Sequence, residues 1–238
     1  MSAVATDRSL DLFLRAYRSR RRDAPLLARV RAIFAQVSPL RLEDDDLESF
    51  LSLLYRAVRW YRPRTVVQTG TFVGASALAI AMGLEDNGEG ELYTIDPEPP
   101  EYFAIREPVE IARRALIVSG LDTRVRLVRG YSTLALDSER MRLPVVPLWR
   151  LGAVPPADVL VVDGDHTFDG CLLDLIHGAD RLAEDGPHLI VVHDYLGIPE
   201  VRGAVRAWLR DRRPKELKIV PTPCGVALIR VRPHDETS

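Results

Sequence analysis

Along the first sixty positions, apolar residues recur at the three- and four-residue intervals of amphipathic helices. Leu12, Phe13, Ala16 and Tyr17 share one face, and Leu26, Leu27, Val30, Ile33 and Phe34 share another. The acidic run Glu43-Asp44-Asp45-Asp46 precedes the stripe Leu47, Phe50, Leu51, Leu54, Tyr55 and Val58. Acidic residues in that place suit the positive end of a helix dipole. From Arg64 the rhythm changes to short β-branched runs separated by helical stretches. The runs predict strands over Thr65–Gln68, Glu91–Asp96, Arg124–Val128, Asp158–Asp163, Pro187–Val192, Leu217–Val220 and Val226–Val231. Helices are expected over Ala75–Met82, Ile105–Ser119, Ser132–Met141, Phe168–Leu182 and Val201–Arg210. The link between the last two strands is too short for a crossover, so they must form an antiparallel hairpin.

Such alternation implies an α/β fold: a Rossmann-like, doubly wound, mostly parallel seven-stranded sheet. It carries a C-terminal antiparallel hairpin and an N-terminal helical extension. The expected division is residues 1–60 for the extension, a cap or dimer element, and 61–238 for the main domain. Right-handed crossovers place the carboxyl ends of the parallel strands on one edge. Ligands bind there, where the winding reverses. The polar residues at those ends are Gln68, Asp96, Gly130, Asp163, His193 and Asp194.

Composition narrows the classes. The chain has 238 residues, 47% of them hydrophobic, enough for a sizeable core and against disorder. Lys and Arg total 32 against 34 Asp and Glu, a net charge of −2 that gives no reason to expect nucleic acid or an anionic membrane as partner. Among the basic residues only Lys215 and Lys218 are lysines, a bias typical of GC-rich genomes. Cys171 and Cys224 match no zinc spacing and exclude a disulfide scaffold, so reduced thiols in a cytoplasmic protein are expected. No stretch has the form of a signal peptide or a membrane span. The arginines of Arg18–Arg22 read as a solvated face or loop, or as a contact to an acidic substrate or partner subunit.

Gly70 and Gly74 bracket a tight strand-to-helix turn. Their spacing lacks the extra glycine that admits a pyrophosphate, and no Walker lysine follows, so a nucleoside without phosphates suits the turn better than NAD or ATP. Asp96, roughly 20 residues on, is placed to accept hydrogen bonds from ribose hydroxyls. Gly130-Tyr131-Ser132-Thr133 follows the third strand and offers small and polar atoms for an adenine. The stretches VVQTGTFVGASALAIA, LYTIDPEP, VRLVRGYS, ADVLVVDGDHTFDGCLLDL and GPHLIVVHDY resemble class I S-adenosylmethionine (SAM)-dependent methyltransferases. Within these the chain is most similar to the small-molecule O-methyltransferase branch: the catechol type, the macrocin-type sugar enzymes and cephalosporin-hydroxylase-like relatives. The resemblance covers about Val58 to Val231. It implies that Gly70, Thr71, Phe72, Gly74 and Ser76 wrap the methionine part of SAM, that Asp96 holds the ribose, and that Ser132 and its neighbours flank the adenine. Relatives usually carry Glu where this chain has Gln68, so the hydrogen-bonding geometry is kept and a charge is lost.

A second constellation comprises Asp163, Asp165, His166, His193 and Asp194. In metal-dependent relatives, Asp163, His193 and Asp194 fall on magnesium-ligating positions. Such a cation would bind the acceptor oxygen and lower its hydroxyl pKa. Imidazole turns the preference toward zinc, iron or manganese. The alternative is that His193 and Asp194 orient substrate or each other without a metal. His166 falls where the catechol branch carries its catalytic lysine, and an imidazole with an ordinary pKa near 6.5 suits general-base work. Asp165 is a candidate to orient it. The expected activity is O-methylation of a small hydroxylated acceptor, plausibly in secondary metabolism, with a homo-oligomer allowed. The alternatives are a hydroxylase-like metalloenzyme on the same fold or a SAM-binding protein without catalysis.

Overall fold

The computed structural model describes residues 9–18, 23–132, 154–210, 212, 214 and 216–231. The apolar stripes of the first segment form three helices, α1 (Leu10–Arg18), α2 (Ala24–Val37) and α3 (Asp45–Tyr61). The first amides of a helix lack intrahelical partners. Ahead of α2, Asp23 accepts from the Leu26 N–H; ahead of α3, Asp44 accepts from the Asp46 and Leu47 N–H groups. One carboxylate of the acidic run is thus the cap, and Asp45, Asp46 and Glu48 occupy the first turn. The helix stops at Arg62, which takes a left-handed conformation (φ 49°) before Pro63.

The alternating region follows: β1 (Thr65–Thr69), α4 (Ala75–Asn87), β2 (Glu91–Asp96), β3 (Glu101–Tyr102), β4 (Ile105–Arg106), α5 (Pro108–Ser119), β5 (Val125–Arg129), β6 (Val159–Val162), α6 (Phe168–Ala179), β7 (Leu189–Val192), α7 (Pro199–Leu209), β8 (Glu216–Val220) and β9 (Val226–Arg230). The sheet runs β5-β2-β1-β6-β7-β9-β8, seven strands in the expected Rossmann-like arrangement. All pairs are parallel up to β7; β9 is antiparallel to both β7 and β8. The chain winds outward from β1 through β2 to β5, then returns to β6 beside β1. That reversal opens a crevice at the carboxyl ends of β1 and β6.

Both faces of the sheet are covered, so β6 and β7 are apolar and buried throughout. One core, beneath α6 and α7, contains Val67, Leu160, Ile190 and Trp208. The other joins Phe13, Phe34 and Phe50 of the N-terminal helices to Leu78 of α4 and Val191 and Leu228 of the sheet. Each such side chain gains about 1.5–3 kcal/mol from leaving water. The N-terminal helices are therefore built into the sheet's own core.

Several expectations shift at their boundaries; the helix expected over Ala75–Met82 runs on to Asn87, and the one expected from Val201 begins at Pro199. The helix expected from Ile105 begins at Pro108, whose ring suits the first helical position; Ile105–Arg106 instead pairs with Glu101–Tyr102 as a small hairpin. The helix expected over Phe168–Leu182 ends at Ala179. The helix expected after Ser132, and the arginine run beyond Arg18, lie outside the described residues. No described helix is long and apolar enough to cross a membrane.

Candidate active site

The turn after β1 is held from three directions. Gly70 (φ 80°) and Gly74 (φ 85°) adopt left-handed conformations that glycine takes without strain. A Cβ on Gly70 would strike the Asp163 carbonyl and lie 2.9 Å from Gly164 Cα; one on Gly74 would lie 2.9 Å from Ala112 Cα. The Asp96 carboxylate accepts from the Thr71 and Phe72 N–H groups (2.9 and 3.1 Å) through Oδ2, and from the Glu98 N–H (2.8 Å) through Oδ1. It sets the shape of the turn while keeping acceptor capacity, because a carboxylate has about four lone-pair sites. Thr71 and Thr94 share a hydroxyl contact of 2.7 Å, and the Gly130 N–H donates to the Asp96 carbonyl. Gln68 is fully buried. Its Nε2 donates to the Gly70 carbonyl (2.6 Å) and Ser76 Oγ (2.7 Å), and its Oε1 has no partner. Ser132 lies at the end of the described segment, half-buried.

Across the crevice, Asp163 follows β6, and His193 and Asp194 follow β7. The imidazole of His193 is the hub. Its Nδ1 lies 3.0 Å from Asp163 Oδ1 and 3.2 Å from Asp194 Oδ2, its Nε2 lies 2.9 Å from Asp46 Oδ2, and its ring stacks on Phe50 with centroids 4.0 Å apart. Burial by itself would lower the pKa of this ring. The charge of Asp163 and the hydrogen bonds to Asp163, Asp194 and Asp46 outweigh it and push the value up to about 12. For Asp46, burial pulls upward, but the bonds from His193 and the Cys224 N–H bring the carboxyl down to about 2. Asp163 and Asp194 are likewise held below the usual carboxylate range: burial works against ionisation and the two imidazoles more than offset it.

His166 stands in the loop between β6 and α6. Its Nε2 lies 3.0 Å from Asp194 Oδ2 and 3.7 Å from Asp163 Oδ1. Neither contact has good hydrogen-bond alignment, so the two carboxylates act on the ring as ion pairs. The Asp163 and Asp194 carboxylates push its pKa up to about 9, well above the ordinary imidazole value. Asp165 does not orient that ring: its Oδ1 accepts the Thr167 N–H, and its carboxyl packs against Gly170 at the start of α6.

Among the described residues, two groups bring three donor atoms within 4.8 Å of one another: Asp46, His193 and Asp194, and Asp163, His166 and Asp194. A metal takes a ring nitrogen through its lone pair. Both nitrogens of His193 face acceptor-only carboxylates, so the ligand role expected for His193 requires one of those bonds to break. The imidazole fits better as the positive member of the cluster.

Asp163, His193 and Asp194 meet as their strand-end positions predict, His166 joins them from the loop after β6, and the glycine turn abuts that loop. Two participants escaped the sequence reading. Asp46 read as helix-dipole charge, yet it stands four residues before Phe50 on the buried face of α3, a carboxylate in an apolar stripe. Asp174 of α6 is fully buried, with no hydrogen-bond partner of good geometry among the described residues. Burial pushes its carboxyl up to about 7, against the pull of the nearby Ser132 and Thr69 hydroxyls. Tyr195, which follows Asp194, is buried in the core under α6 and α7.

The geometry has counterparts in known proteins. A structure of the Podospora anserina methyltransferase PaMTH1 with bound SAH is 18% identical, covers 98% of this chain and 99% of its own, and has a TM-score of 0.62. The Bacillus cereus O-methyltransferase in complex with SAH is 17% identical over 93% of this chain and 97% of its own, with a TM-score of 0.61. TomG from Streptomyces achromogenes, an O-methyltransferase of tomaymycin synthesis solved with SAM, is 19% identical over 97% and 100%, with a TM-score of 0.59. These likenesses are of fold. No curated protein matches the chain by sequence. A family model described as a methyltransferase domain matches residues 67–195, which span β1 to the turn after β7 and so contain the glycine turn, Asp96, Asp163, His166, His193 and Asp194. The chain belongs to that methyltransferase family.

Proposed function

We propose that this protein transfers the SAM methyl group to a hydroxyl of a small molecule and that His166 accepts the hydroxyl proton. The observation that carries the reading is the His166 ring, held with Nε2 3.0 Å from Asp194 Oδ2 and 3.7 Å from Asp163 Oδ1 in a loop packed against the glycine turn. Methyl transfer from a sulfonium is an in-line displacement. The acceptor oxygen bonds to the methyl carbon, the carbon–sulfur bond breaks with its electrons going to sulfur, and the hydroxyl proton passes to His166 Nε2. Alignment and deprotonation supply most of the catalysis. The Asp163 and Asp194 carboxylates favour the positive charge of the sulfonium beside them.

In this reading Gly70, Thr71, Phe72, Gly74 and Ser76 surround the methionine part of SAM. The unpartnered Gln68 Oε1 is an acceptor for its ammonium group. Asp96 keeps lone pairs for the ribose hydroxyls, and Gly130 and Ser132 border the adenine. His166 Nε2 cannot serve as both base and metal ligand; we assign it to the base, with the imidazolium of His193 balancing the carboxylates in place of a divalent cation. The O-methyltransferase of tomaymycin synthesis shares the fold, which favours an acceptor from secondary metabolism.

The test is transfer of labelled methyl from SAM to a panel of phenolic and sugar hydroxyls. Labelled ether product that survives EDTA and is lost in His166→Ala is expected. Turnover abolished by EDTA and restored by one metal would replace the metal-free assignment. SAM binding without product from any acceptor would return the protein to a binding role, and turnover that needs oxygen and a reductant would make it a hydroxylase.

A further inference from the structure

We infer that Asp46, contributed by the N-terminal helices, is a positioning residue that orients the catalytic imidazole–carboxylate cluster through His193. Its side chain is only 9% exposed, a place where a carboxylate is costly unless fully bonded. Both oxygens are engaged. Oδ2 accepts from His193 Nε2 at 2.9 Å, and Oδ1 accepts from the Cys224 N–H at 2.7 Å. Asp46 thus joins the first turn of α3, the end of β7 and the turn between β8 and β9, segments far apart in the chain.

The consequence reaches His166. His193 offers two donor nitrogens and faces three carboxylates. With Nε2 held by Asp46 and one ring face held by Phe50, Nδ1 has a single direction left, between Asp163 Oδ1 and Asp194 Oδ2. Those two carboxylates flank His166 Nε2. Without Asp46, Nε2 loses its acceptor beside an aromatic face, and the ring is free to turn away. The path Asp46 to His193 to the carboxylate pair to His166 makes the N-terminal helices part of the catalytic geometry. In this inference Asp46 acts on the reaction only through His193.

The inference rests on the methyl-transfer reading for its kinetics but has a readout of its own. In protein carrying ¹⁵N-histidine, His193 should show two slowly exchanging ring N–H signals, assigned by their absence in His193→Gln. In Asp46→Ala the Nε2–H signal should vanish. With the acceptor found, kcat should fall about 10- to 100-fold, the size expected for losing a hydrogen bond to a charged group, while KM for SAM stays within about twofold. Asp46→Asn, which keeps the shape and one acceptor, should fall between wild type and Asp46→Ala, and it serves if the alanine variant does not fold. Asp44→Ala removes the cap of the same helix; it should lower Tm without moving kcat, which separates positioning from a general loosening of α3. An Nε2–H signal that persists in Asp46→Ala, or a kcat within about twofold of wild type, overturns the inference. If wild type turns over no acceptor, the function reading fails and the ring signals still decide the role of Asp46.

Discussion

The two sides of the crevice are built in opposite ways. The glycine-turn side is nearly contiguous: Gln68, Gly70, Gly74 and Ser76 lie at the end of one strand, in one turn and at the start of one helix, and Asp96 secures the turn through backbone amides. The acid–imidazole side draws on α3, the ends of β6 and β7 and the turn before β9, and its parts hold one another through side-chain charge. A site made of backbone and glycine is governed by steric fit. A site made of paired charges is governed by geometry between segments, and small displacements there change protonation and alignment.

Variants on the two sides should therefore fail differently. The largest effect is expected for Gly70→Val. A branched side chain at φ 80° would meet the Asp163 carbonyl, so calorimetry should detect no SAM binding even where the protein folds. His166→Ala should reduce kcat about 10²- to 10⁴-fold with SAM affinity retained; lost SAM binding in this variant would mean that the two sides are one unit. In wild type the base form of His166 grows as pH rises, so kcat/KM should climb through neutrality and level off only above about pH 9, rather than near 6.5. A plateau below pH 7 would remove His166 from the role of base.

Asp174 gives a test of stability rather than rate. Its folded pKa, near 7, lies above the ordinary carboxylate value of 3.8, so the folded state holds its proton more tightly than the unfolded chain. The native state is accordingly penalised as pH rises from about 4 to 7, and the penalty is complete above 7. Asp174→Asn should gain roughly 2 kcal/mol in denaturant unfolding at pH 8, with the gain shrinking as pH falls toward 4. The smallest effect is expected for Gln68→Leu, which removes two hydrogen bonds to the turn. KM for SAM should rise about tenfold with kcat nearly unchanged.

The glycine turn was legible because its pattern is local. Positive-φ glycines, a small-residue helix and an acid at the end of the next strand are written within thirty residues, and strand ends on one edge follow from crossover handedness. The meeting of Asp163 with His193 and Asp194 was legible for the same reason, since β6 and β7 are parallel neighbours. Asp46 was not, because helix periodicity says which face is buried and not what lies opposite it. The short hairpin before α5 was missed because Ile105 and Val109 stand at the four-residue spacing of a helix, although Pro108 between them marks where the helix starts.

Periodicity and strand-end chemistry in the chain were enough to specify a doubly wound sheet, a glycine turn after its first strand and an acid pair beside it. Which nitrogen of His193 meets which carboxylate, and that His166 is raised to about 9 instead of staying near neutrality, came only from the folded arrangement. The reason is that hydrophobic pattern and backbone conformation act over a few residues. Charge coupling depends on distances in space between groups as near along the chain as Asp163 and His166, 3 residues apart, and as far as Asp46 and His193, 147 residues apart.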